Sequence, residues 1–282
     1  MSLDPLRGRL LIVAAAVMWS TSGFFAKTPL FDGWDGATLA FWRAIFASCV
    51  LLPLVRRVSW NWRMIPMALI FVAMNVTFLN AMVTTTAANA IWLQHTAPAW
   101  VFLFAFVWLK EPITWPDWRL LIFIVLGVGT ILCGENLPGT ATATSPMGVI
   151  CGVLAGLTYA GVVISLRWLR AEDAAWLVAL NHIVTAAVLA PYILTRPSLP
   201  AGEQWFYLIG LGVFQMGLPY LLFARGLRSI AGHEATGIVL LEPLLVPLWA
   251  WLAWREIPAW WTFVGGGLIL TGLVWRYLGR AG

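Results

Sequence analysis

Along this chain, long apolar stretches alternate with short polar ones, and ten of the apolar runs are long enough to matter. They lie at about 9–29, 37–55, 64–83, 88–109, 117–134, 147–166, 173–194, 204–224, 233–253 and 259–277. A helix needs about 20 mostly apolar residues to cross the hydrocarbon core of a bilayer, with a usable range of roughly 17–25. Within the runs the apolar residues favour no single face, unlike the striped helices of a water-soluble bundle. The pattern predicts an all-α integral membrane protein with ten transmembrane helices. Most connections are short, which suits antiparallel neighbours in one bundle.

Charge gives the runs an orientation. With the N-terminus in the cytoplasm, the inside segments hold Arg7, Arg9, Arg56, Arg57, Arg63, Lys110, Arg119, Arg167, Arg170, Arg225, Arg228, Arg276 and Arg280, and the outside segments hold only Lys27, Arg196 and Arg255. Cytoplasmic loops are the ones that carry excess Lys and Arg. Both termini are therefore expected inside. Most tryptophans near the proposed span ends, among them Trp34, Trp60, Trp62, Trp115 and Trp260, suit the headgroup level, whereas Trp19 and Trp100 fall deep within spans. Basic Arg7 and Arg9 precede an apolar run too long for a signal-peptide core, so it is read as the first transmembrane helix.

Composition agrees and narrows the class. Of 282 residues, 61% are hydrophobic and 10% charged, against about 25% charged in a soluble domain. The net charge of +5 is spread singly along the chain and makes no basic patch for a nucleic acid. Three cysteines, Cys49, Cys133 and Cys151, all in or beside apolar runs, imply no disulfide framework. No cofactor or metal motif is present.

The chain also repeats itself. "WLKEPITWPDWRLLIFIVLG" (Trp108 to Gly127) aligns with "AWREIPAWWTFVGGGLILTG" (Ala253 to Gly272) at an offset of 145, which pairs Pro98 with Pro243, Glu111 with Glu256 and Phe78 with Phe223. Nearer the starts of the halves an offset of 140 pairs Trp19 with Tyr159 and Lys27 with Arg167. The expected organisation is a first five-helix repeat over 1–134, a polar linker over 135–146 and a second five-helix repeat over 147–282. Five helices is an odd number, so the second repeat enters the membrane inverted. Inverted repeats recur in secondary transporters, with the substrate site near the midplane where the halves meet.

The "LKEP" and "REIP" elements, the proline-containing helices before them and the five-plus-five layout resemble the EamA-type members of the drug/metabolite transporter superfamily. Within it the chain is similar to YddG-type exporters of aromatic amino acids. The resemblance covers essentially the whole chain. It implies alternating access, a bacterial inner-membrane location, and a path lined by the third, fourth, eighth and ninth helices with the fifth and tenth at the periphery.

Polar groups inside a membrane are costly, and they usually face a bundle interior or a wet cavity. Glu242, inside "VLLEPLLVPLW" (Val239 to Trp249), is the first candidate. It could attract a substrate ammonium or exchange a proton, or it could be a protonated acid that only satisfies a carbonyl freed by proline. Arg43 could bind a substrate carboxylate, or serve as a helix-end anchor or charge partner. Gln94, His95, Asn80, His182 and Gln215 are further polar candidates for substrate binding, and Tyr159, Tyr220, Trp19 and Trp100 could supply an aromatic path. Pro98, Pro243 and Pro219, each removing a backbone hydrogen bond, are candidate hinges, with Pro247 as a fourth break; any one could equally be a static bend. Gly148, Gly152 and Gly156, spaced by four, and Gly265 to Gly267 read as close-packing surfaces.

Together these features predict a secondary transporter that exports amino acids, in particular large neutral or aromatic ones, and related metabolites. Its partners are a small-molecule substrate and the lipid bilayer; a monomer would suffice. Multidrug or nucleotide-sugar transport within the same superfamily are the alternatives. An intramembrane enzyme is the competitor from another class, but no GxSxG or HExxH motif supports it, and no GxxxxGK[ST] loop supports direct use of ATP.

Overall fold

The computed structural model describes residues 5–108, 110, 114–137, 145–195, 199–230 and 232–277. Glu111 of the first repeat motif, Arg196 and Arg280 of the charge count and most of the linker lie outside the described residues. The described chain is helical throughout, with no strand. In order, the helices are α1 (Pro5–Ser20), α2 (Ser22–Ala26), α3 (Gly36–Leu51), α4 (Met64–Thr84), α5 (Ala87–Gln94), α6 (Ala97–Trp108), α7 (Trp115–Glu135), α8 (Pro146–Trp168), α9 (Ala174–Leu194), α10 (Gln204–Ile209), α11 (Leu218–Gly226), α12 (Gly232–Val239), α13 (Leu241–Trp254) and α14 (Trp260–Tyr277). A π-helical segment, Gly210–Gly217, joins α10 to α11 without a gap.

Among the described residues, eight stretches are long and apolar enough to cross a membrane: Pro5–Ala26, Gly36–Leu54, Met64–Thr84, Trp115–Glu135, Pro146–Trp168, Ala174–Leu194, Gln204–Gly226 and Gly237–Trp254. They fall on eight of the ten apolar runs. The other two runs correspond to the α5–α6 pair and to α14. Local chemistry sets several of the helix starts. Asp35 caps α3 by accepting from Thr38 N at 2.8 Å, and Asp173 caps α9 by accepting from Trp176 N at 3.1 Å. Thr86 caps α5 through the Asn89 N–H at 3.1 Å.

The expected fourth and ninth helices are each broken, and the breaks obey one rule. Proline has no N–H to give the carbonyl four residues earlier. Four residues before Pro98 is Gln94, where α5 ends; four before Pro243 is Val239, where α12 ends. Pro219 acts differently, following the π-helical segment at the start of α11 rather than a gap. Pro247 lies inside an uninterrupted α13, so the fourth expected break is absent. The first helix is interrupted at Thr21, where no proline stands.

Packing is reciprocal between the halves. α4 packs along α8 as α1 packs along α11, α5 meets α8 as α12 meets α1, and α6 meets α8 as α13 meets α1. α3 packs on α9 and α7 on α14. Glycine permits the closest approaches. A Cβ on Gly127 would lie 2.6 Å from the Gly265 carbonyl oxygen, and a Cβ on Gly265 would lie 2.6 Å from that of Gly127. Gly148, Gly152 and Gly156 form the expected smooth face, seated on Thr84, Leu93 and Thr96. Gly266 faces the Trp92 indole, whereas Gly267 faces open space.

The Gly127–Gly265 contact is backbone against backbone and has no flexible side chain to give way. Gly265→Ala should therefore destabilise the bundle by about 1–3 kcal/mol, the usual cost of overpacking. Gly267→Ala is the control and should cost nothing. Thermal unfolding in detergent compares them; equal melting temperatures would refute the close-contact account.

Candidate functional site

At one end of the bundle the two sequence halves are fastened together. Lys27 Nζ lies 2.7 Å from Glu256 Oε2 and donates to the Thr85 carbonyl at 2.8 Å. The other Glu256 oxygen accepts from the Ala87 N–H at 2.7 Å. One carboxylate thus joins the end of α2, the α4–α5 turn and the end of α13. Trp254 Nε1 donates to the Phe24 carbonyl at 2.9 Å while its ring stacks on Phe24, 5.8 Å between centroids. Tyr192 donates to Asp35, and Asn80 accepts from the Gly36 N–H at 3.0 Å. The opposite end carries a vestibule of about 490 Å3, bordered by Arg56, Arg225, Arg228 and Asp173. Burial there tends to raise the Asp173 carboxyl. Backbone N–H groups of Trp176, Arg56, Ala175 and Arg57 outweigh it and hold the carboxyl below its ordinary value.

Between these ends lies a cavity of about 260 Å3. Its polar wall consists of Arg43, Gln94, His95, Gln215 and Glu242, with Trp19, Tyr159 and Tyr220 beside them. The proline breaks deliver three of these groups. Gln94 is the last residue of α5, His95 follows it in the break, and Glu242 sits in the first turn of α13. A helix N-terminus presents N–H groups and positive potential, so a carboxyl is tolerated there better than in mid-helix. His95 Nδ1 lies 3.0 Å from the Ile91 carbonyl. A carbonyl can only accept, so Nδ1 carries the proton and Nε2 is left as an acceptor. Gln215 lies in the π-helical segment and donates to the Trp19 carbonyl at 3.2 Å. Trp19 in turn packs against Tyr220 and Phe223, with centroids 5.3 and 5.2 Å away.

Arg43, 1% exposed, is the largest fully buried side chain among the described residues. Its Nη2 donates to Asn75 Oδ1, and its guanidinium carbon stands 5.9 Å from the centre of the Phe78 ring. Among the described residues no salt bridge joins Arg43 to Glu242, the one carboxylate on the cavity wall. A neighbouring apolar cavity, also about 260 Å3, lies behind the α5–α6 break and includes Pro98 and Leu240 in its wall. It shares His95, Tyr159, Val163 and Val239 with the first.

The sequence profile of the EamA-like transporter family matches residues 6–133 and, a second time, residues 146–278. The chain belongs to the EamA-like transporter family. It is 28% identical over 274 residues to an uncharacterized transporter of Archaeoglobus fulgidus, covering 95% of this chain and 96% of that one. It is 27% identical over 287 residues to the pseudopaline exporter CntI of Pseudomonas aeruginosa, with 97% of each chain covered. A solved crystal structure shares the fold, with a TM-score of 0.66 at 18% identity over 96% of both chains. An all-helical integral membrane transporter follows from the family and from the apolar helices together.

In this EamA-family chain the expected site residues separate into two groups. Trp19, Arg43, Gln94, His95, Tyr159, Gln215, Tyr220 and Glu242 meet at the cavity. Asn80 instead fastens α3 to α4, and Trp100 is half-buried on α6, away from the cavity wall. His182 is fully buried one layer behind, its ring edge on Phe71 at 4.9 Å. Pro243 and Pro219 are buried and shape the backbone without lining the cavity. The lining draws on α1, α3 and α8 as well as on the four helices the resemblance implied, and α7 and α14 contribute nothing to it. Sequence reasoning missed its apolar wall of Phe71, Met74, Val162, Leu166 and Met216.

The Lys27–Glu256 pair generates a test of the closed end. With the native cysteines replaced and Val162→Cys as a reporter in the cavity, an impermeant maleimide applied at the Lys27 end should label slowly. Lys27→Glu should speed that labelling, and adding Glu256→Lys should slow it again. Unchanged labelling in the single variant would show that the ion pair does not hold this end shut.

Proposed function

We propose that this chain is an alternating-access exporter of amino acids and related metabolites, with a preference for large neutral or aromatic side chains. The observation that carries the reading is the central cavity. It sets a guanidinium and a carboxyl group, those of Arg43 and Glu242, on a wall otherwise rich in aromatic and apolar groups. An amino acid offers the complement: two opposite charges and, in these members, a large apolar body.

The same reading includes ten crossings, arranged as two inverted five-helix repeats at 1–134 and 147–282, with both termini in the cytoplasm of a cell whose inner membrane houses the protein. Two matches to one family profile support the repeats, as does the reciprocal helix packing. With this orientation the Lys27–Glu256 end faces outward and the arginine-bordered vestibule faces the cytoplasm. The vestibule then lies on the side from which an exporter loads. A relative named as an exporter supports the direction.

Organic cations are the competing substrates, because Glu242 has no salt-bridge partner among the described residues. Nucleotide sugars fit less well: their phosphates call for several basic groups, and Arg43 is the one cation on the cavity wall. An efflux and uptake panel in proteoliposomes separates these classes, using aromatic amino acids, cationic dyes and nucleotide sugars with and without a pH gradient. Aromatic amino acids should move. Movement of dyes alone would replace the reading with multidrug export.

Glu242→Gln keeps the shape and removes the charge, and it should lower amino acid transport by about tenfold, the equivalent of about 1.4 kcal/mol. A wild-type rate and pH profile would take Glu242 out of the mechanism.

A further inference from the structure

Arg43 poses a problem that its own surroundings leave unsolved. A guanidinium removed from water needs hydrogen bonds for its donors and an opposite charge for its cation. Asn75 accepts from Nη2 but is neutral, and the Phe78 face offers only a quadrupole. Nε and Nη1 are buried and have no partner among the described residues. The missing component is an acceptor that also carries negative charge.

The receptor is built to stay where it is. Asn75 is 0% exposed, and its Nδ2 donates to the Phe71 carbonyl one turn earlier at 3.0 Å. That bond fixes the amide so that its oxygen, not its nitrogen, faces Arg43. Phe71, Asn75 and Phe78 lie at i, i+4 and i+7 of α4, a single face of one helix. A long side chain held at one nitrogen and over one ring spends less entropy when a ligand arrives.

We propose that Arg43, positioned by Asn75, is the carboxylate receptor of the cavity, and that a carboxylate rather than an ammonium is the obligatory feature of the substrate. This rests on the reading of the cavity as the substrate site and extends it. Asn75 becomes a positioning residue, acting through Arg43 without touching the substrate. Molecules that keep the carboxylate and lose the amine bind; amines that have lost the carboxylate do not. Glu242 adds affinity for an ammonium where one is present.

Isothermal titration calorimetry of the purified full chain in detergent tests this with three probes that share one phenyl ring: L-phenylalanine, 3-phenylpropionate and phenethylamine. In the wild type the two acids should bind more tightly than the amine. Asn75→Asp supplies Arg43 with an internal counter-ion that competes with the ligand. It should weaken both acids by about tenfold or more, the equivalent of about 1.4 kcal/mol, without weakening the amine. If that variant does not fold, Asn75→Ala, which frees the guanidinium from its anchor, should give the same split. Amine binding equal to acid binding in the wild type, or a parallel loss of all three probes in the variants, overturns the proposal and leaves the cavity reading in place. Failure of all three probes to bind the wild type overturns the amino acid reading and the carboxylate receptor with it.

Discussion

A backbone N–H or C=O inside a bilayer has no water to fall back on, so a membrane helix is normally unbroken. Proline is the residue that forces an exception, because it cannot serve the carbonyl four positions before it. In this chain Pro98 and Pro243 do so at matched places, and α5 and α12 end at the residues whose carbonyls they fail to serve. Irregular backbone at such depth is tolerated where protein or a polar cavity surrounds it. Both breaks contribute to the wall of the central cavity, through Gln94 and His95 on one side and Val239 on the other.

The regions around the breaks show the opposite design. α7 and α14 touch through Gly127 and Gly265 at backbone distance, and α8 lays a glycine face on the end of α4, on α5 and on the turn that follows it. Such contacts resist sliding, because nothing flexible separates the helices. The helices are interrupted beside two cavities that share part of their walls. The Lys27–Glu256 pair, with Glu256 also bonded to the start of α5, ties the start of α5 to the end of α13. Under the proposed cycle, the Lys27–Glu256 ends of both broken helices would swing about the breaks while the Gly127–Gly265 contact of α7 and α14 stays intact.

Much of this was legible in the sequence, and the remainder was hidden for identifiable reasons. The apolar runs gave the helices to within a few residues, and the proline alignment gave the two breaks. The π-helical segment and the interruption at Thr21 carried no such mark, since a change of backbone hydrogen-bond register needs no special residue. Among side chains, a polar group in an apolar run stands out, which is how Arg43, Gln94, His95, Gln215 and Glu242 were found. The same contrast also picked out Asn80 and His182, which serve packing and helix clasping. Asn75 is polar too, yet nothing in one dimension ties it to Arg43. Phe71, Met74 and Leu166 could not be singled out at all, because in a lipid-embedded helix the inward and outward faces are equally apolar.

The two halves share a scaffold but not its chemistry. Pro98 and Pro243 are partners in the repeat, whereas Glu242 stands opposite Ala97. Arg43 belongs to the first half, and the corresponding stretch of the second half holds neutral Asn181 and His182. Each half therefore contributes one ionisable side chain, a guanidinium from the first and a carboxyl from the second. A ligand bearing only one charge would bind chiefly to one half and would be indifferent to how the other moves. Under the proposed function a zwitterion would bridge them, so its binding energy would depend on the distance between the halves. A ligand can shift a conformational equilibrium only by its difference in affinity for the two states. Placing the charges on separate halves creates that difference, and a symmetric distribution of charge within each half would not.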